Sequence, residues 1–199
     1  GSTAFMIACN MGDKDIVKLL LNHSDPKIDL NVKDNIGRTA LMWACFYGCK
    51  DVVQLLLDNS ERIDLNARSR LIGETAFMLA CRNGRKDVVR LFLDNSKRID
   101  LNARDNIGRT ALMYACRTQN AQRNARNKDV VQLLLNHSDP RIDLNAKDVI
   151  GKTALMIAQQ KSIVKLIKAK INQMKAPQKP VHQMMTRQKT KMIKAKLNQ

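Results

Sequence analysis

The chain has 199 residues, a net charge of +17 and 44% hydrophobic residues, yet no apolar run reaches the roughly 18 to 20 residues that a membrane-spanning helix needs. The charge is uneven: residues 1–148 hold 23 Lys+Arg against 18 Asp+Glu, while residues 149–199 hold 12 Lys+Arg and no acid. A helical membrane anchor is therefore not expected, the protein is expected to be soluble, and the basic C-terminal end is a candidate for contact with an anionic surface.

Gly1 and Ser2 lead directly into a repeat and read as an expression scar on an excised fragment. Thr3 opens the first unit, and threonine returns at Thr39, Thr75, Thr110 and Thr153, at spacings of 36, 36, 35 and 43 residues. A fixed period in this range signals stacked repeats, about five here. Such a stack buries its core between neighbouring units rather than around one centre. In the clearest unit, residues 39–66, Thr39 predicts an N-cap for a first helix over 40–46. Gly48 then ends it, in the manner of Gly12 and Gly84. Residues 50–57 carry Val52, Val53, Leu55, Leu56 and Leu57, a second helix apolar around most of its circumference that must be covered on several sides. A loop broken by Pro26 or Pro140 follows, and D-N-I-G is a turn with glycine where positive φ is needed.

The fourth unit has 13 residues between Cys116 and Val130 where other full units have 6. Its Ala, Gln and Arg favour helix, which predicts a first helix prolonged by one or two turns, with Arg123 and Arg126 as a partner-specific extension or a bland surface insertion. The fifth unit has lost its glycine and carries Lys168 where the others have a third leucine, as a polar-faced C-terminal cap should. Ile163, Ile167, Ile171 and Met174 then fall at helical spacing among lysines. Beyond Pro177 lies a basic tail, residues 177–199, helical or partly disordered.

The T-A-L-M-x-A-C, G-x-K-D, V-V-Q-L-L-L and D-L-N-A blocks resemble those of the ankyrin repeat. The resemblance implies an α-solenoid of helix-turn-helix units with β-hairpin or loop fingers, covering residues 1–176 with repeats starting near 3, 39, 75, 110 and 153. Where the family has histidine this chain has Met6, Met42, Met78, Met113 and Met156, expected in the core with thioether packing in place of the histidine's hydrogen bonds. Cys9, Cys45, Cys81 and Cys116 share one register position and read as small buried hydrophobes rather than zinc ligands or disulfides. Unpaired thiols point to a reducing, intracellular setting, cytoplasmic with the nucleus as the alternative.

No histidine has a catalytic partner by spacing, the repeated aspartates sit in first helical turns, and no phosphate-binding glycine loop occurs. No enzyme activity, cofactor or metal is expected. The resemblance implies that partners lie on the concave face of finger tips and first helices. Carried over by position, that face holds Arg38, Trp43, Phe46, Tyr47, Arg70, Arg82, Arg109, Tyr114 and Arg117, which are interface-prone residue types. The expected function is a non-catalytic, monomeric scaffold binding an acidic or mixed acidic-aromatic protein segment. The alternative is an electrostatic binder of nucleic acid or anionic membrane through Lys179, Arg187, Lys189, Lys191, Lys194 and Lys196. That tail lacks aromatic residues, so its nucleic-acid contacts would be weak and nonspecific.

Overall fold

A threonine hydroxyl can satisfy one of the amides that a helix start leaves without a partner, at a gain of about 1 kcal/mol. Thr3, Thr39, Thr75, Thr110 and Thr153 all do so, accepting from the amide of the methionine three residues on. The structure is a computed structural model that describes residues 1–23, 28–117, 121–137 and 142–175. The capped helices are α1 (Ala4–Met11), α3 (Ala40–Tyr47), α5 (Ala76–Arg82), α7 (Ala111–Cys116) and α9 (Ala154–Ile157). Each is followed by a second helix: α2 (Lys14–His23), α4 (Lys50–Asp58), α6 (Lys86–Asp94), α8 (Ala121–Asn136) and α10 (Lys161–Lys175). Residues Gly1–Lys168 form one compact unit and Ala169–Gln199 another.

First helices stack in one row, α1 to α9, and α2, α4, α6 and α8 in another. Met6, Met42, Met78 and Met113 are buried between repeats together with the four cysteines of the shared register, so each repeat completes its neighbour's core. Val52, Val53, Leu56 and Leu57 of α4, and Val88, Val89, Phe92 and Leu93 of α6, are buried too, each large side chain contributing about 2 kcal/mol. Polar rungs run alongside. Asn31 donates from Nδ2 to the Arg62 carbonyl and accepts from the Asp64 amide at 2.7 Å. Asn66 does the same one repeat on, with the Arg98 carbonyl and the Asp100 amide.

The fingers are turns: no strand occurs among the described residues. Asp34 shapes the first finger, its Oδ1 accepting from the amides of Ile36 and Arg38. Asp105 and Asp148 repeat that geometry. Successive tips are joined by backbone bonds from Arg70 to Ile36, Asn106 to Ile72 and Val149 to Ile107. Gly37 has φ +78°, and a Cβ there would lie 2.3 Å from the Arg70 amide nitrogen. Only glycine admits both that conformation and that approach.

Two expectations need correction. The insertion of the fourth repeat prolongs the second helix, not the first: α7 stops at Cys116, Arg117 is extended, and α8 runs for 16 residues against 9 in α4 and α6. Without the left-handed glycine the chain leaves α7 early, and the added helix-forming residues join the longer helix. Met156 is 67% exposed, because α9 is a single turn and, among the described residues, no further first helix stacks on it.

Candidate functional site on the finger and first-helix face

In the second, third and fourth repeats the residue leaving the finger and the residue eight further on lie on this face. In the second repeat they are Arg38 and Phe46, with the guanidinium 5.1 Å from the ring centroid and 4.7 Å from that of Trp43. Trp43 and Tyr47, one helical turn apart, stack at 6.1 Å, and Phe46 stands edge-on to both. Burial pushes the Arg38 guanidinium below its ordinary pKa, an effect opposed by the nearby Glu74 carboxylate. Tyr47 is exposed and the other two rings are half-buried.

In the third repeat the pair is Glu74 and Arg82, an ion pair at 2.6 Å whose carboxylate is only 1% exposed. The Arg82 guanidinium also lies 6.0 Å from the Tyr114 ring. In the fourth repeat the pair is Arg109 and Arg117, two like charges. They line a cavity of about 280 Å³ together with Asp148, Ile150, Lys152, Met156, Ile157 and Gln159.

Aromatic residues also tie fingers to helices. The Trp43 indole donates to Asp34 Oδ2 at 2.8 Å, and the Tyr114 hydroxyl donates to Asp105 Oδ2 at 2.6 Å. The third repeat replaces both members at once, Ser69 for the aspartate and Leu79 for the aromatic. Tyr114 is therefore a correction to the expected interface set: it is 2% exposed, and burial together with the Asp105 bond raises its pKa. Arg70 and Arg117 are exposed, Arg38, Arg82 and Arg109 half-buried. The tail residues Lys179, Arg187, Lys189, Lys191, Lys194 and Lys196 lie outside the described residues.

One feature escaped the sequence reading. Ile36, Leu71, Ile72, Ile107, Val149 and Ile150 are all exposed at the finger tips, and the bonds between tips set them in a row. The signal was an isoleucine recurring inside a turn, where solvent exposure gives an apolar residue no local reason to recur. Among the described residues no group of acidic, cysteine or histidine side chains is placed to hold a metal, and no helix is long and apolar enough to cross a membrane.

A family model described as ankyrin repeats (3 copies) matches residues 1–69 and 61–148. Among solved structures, the chain is similar to the ankyrin repeat domain of Bcl-3, described as a unique member of the IκB protein family. The identity is 25% and the TM-score 0.70, over 84% of this chain and 68% of that one. Comparison with curated proteins finds no significant match.

Proposed function

The chain belongs to the ankyrin repeat family, whose members are generally non-catalytic protein-interaction modules, and we propose that its finger and first-helix face binds an acidic or mixed acidic-aromatic segment of another protein. One observation carries the reading: guanidinium groups and aromatic rings interleave on a single face, Arg38 over Trp43 and Phe46 with Tyr47 exposed beside them. Exposed aromatic surface supplies contact area, and arginines pair carboxylates with fixed geometry. The apolar finger-tip row gives a segment lying along the face somewhere to place aliphatic side chains. We assign the repeat domain to residues 1–176, treat the protein as a monomer, and place it in a reducing intracellular compartment because its buried thiols are unpaired.

Trp43 is the only tryptophan, so its fluorescence reports on this face. Peptides alternating Glu or Asp with Phe are expected to quench or shift it saturably, while lysine-substituted versions do not. Tyr47→Ala should weaken binding by about 1 to 2 kcal/mol. Arg109→Glu should slow association and reduce its salt dependence. Lys97→Glu, in the exposed 3-10 turn Ser96–Arg98, changes the net charge equally. Equal loss from both reversals would place the effect in overall charge and remove the assignment to this face.

A further inference from the structure

We infer that the cavity between the fingers of the fourth and fifth repeats is a pocket for a phosphorylated side chain, a phosphoserine or phosphothreonine on the bound segment. This rests on the proposal that the face binds a protein segment, and it names the group that anchors that segment.

Finger exit and the residue eight further on meet in the second and third repeats, and in the third one supplies a carboxylate to the other, Glu74 to Arg82. In the fourth repeat Arg109 and Arg117, the latter extended just beyond α7, line one cavity with no such carboxylate between them. The next finger adds Lys152. Asp148 is the one acid in the lining, and its Oδ1 already accepts the amides of Ile150 and Lys152. Arg109 Nε is buried with no hydrogen-bond acceptor among the described residues.

Charge selects the ligand class. Three cations and one acid leave the lining at +2, which a single carboxylate does not neutralise but a phosphomonoester, at about −1.5 to −2 near neutral pH, does. Its three oxygens also match several guanidinium and ammonium donors at once. The rest of the lining is Ile150, Met156, Ile157 and the Gln159 amide side chain, and Ile150 is the last member of the exposed finger-tip row. A phosphorylated residue followed by an aliphatic one therefore fits, with the second side chain on Ile150.

The test uses the full chain, ¹⁵N-labelled, titrated with N-acetyl-O-phosphothreonine methylamide, N-acetyl-aspartate methylamide and inorganic phosphate. The phosphothreonine amide is expected to shift the amide signals of Ile150, Gly151, Lys152 and Ile157 saturably and to bind at least tenfold more tightly than the other two. Arg117→Gln and Lys152→Gln, both at exposed positions, should each weaken it at least fivefold, with Lys97→Gln unchanged. Equal binding of the aspartate amide would make this a carboxylate site, and equal binding of inorganic phosphate would remove the apolar contact; either overturns the inference. So does the absence of saturable shifts at these residues. The Trp43 fluorescence titration, run on the same samples, separates the two readings. If acidic-aromatic peptides still bind, only the pocket fails; if they also fail, the binding face falls with it.

Discussion

Glu74 and Arg82 show how much one residue pair can carry. A carboxylate 1% exposed is tolerable only while its partner is present. Arg82→Ala should therefore cost about 3 kcal/mol by removing the compensating charge, whereas Glu74→Gln together with Arg82→Met should cost much less. Urea unfolding of the single and double variants checks this. The buried thiols make a pH prediction. Burial pushes Cys9 and Cys116 from an ordinary value of 9.0 up to about 12. Well below pH 9 folded and unfolded chains hold the same protons at these sites. Between about 9 and 12 only the unfolded chain loses them, so stability must fall as pH rises, by at most about 1.4 kcal/mol per pH unit for each thiol. Cys116→Ala should flatten that decline, measured as the urea midpoint from pH 8 to 10.5, because alanine removes one titrating group.

At the scale of the finger, two glycines separate conformation from contact. Gly37 and Gly151 have the same φ, +78°, but a Cβ at Gly37 meets the next finger's backbone while one at Gly151 meets nothing within 4 Å. Gly151→Ala should cost about 1 kcal/mol for the left-handed backbone alone. Gly37→Ala should cost at least about 1 to 2 kcal/mol more, since the neighbouring finger must move. Equal losses in thermal or urea unfolding would mean that the backbone contact between fingers contributes nothing. Asn127, near the point where α8 rejoins the common register, is buried, donates to the Arg117 carbonyl at 3.4 Å and lies over Gly84, so the lengthened helix is built into the stack.

Across the whole chain, stability should rise inward from the N-terminal pair. Ile7, Met11, Ile16 and Leu19 are exposed on α1 and α2, whereas the equivalent Leu79 and Asn83 of the third repeat and Val52 and Val88 of α4 and α6 are buried. Hydrogen exchange in this chain should be fastest in α1 and α2 and slowest in α5 and α6. Slowest exchange in residues 3–20 would contradict it. The basic end makes a separate prediction. Deleting residues 177–199 removes six Lys+Arg and should abolish weak binding to RNA or anionic vesicles, and with it the steep salt dependence, while melting stays unchanged. Anion binding that survives would belong to the repeats instead.

The repeat register was legible without coordinates because it rests on local chemistry. A threonine cap, a helix-ending glycine and apolar positions recurring every 35 or 36 residues act within a few residues of chain, and the stack follows from the need to cover their apolar faces. The buried methionines and cysteines of the first four repeats were readable for the same reason. What only the tertiary structure decided was which polar and aromatic residues satisfy each other across a repeat. Trp43 and Tyr114 occupy one register position, but the first lies half-exposed beneath Arg38 and the second is buried against Asp105. Arg82 and Arg117 likewise share a position; one is neutralised by Glu74 and the other faces a cavity with two further cations. Repeat periodicity assigns a residue to a face, but whether its charge is spent there depends on the side chain that packing brings opposite it.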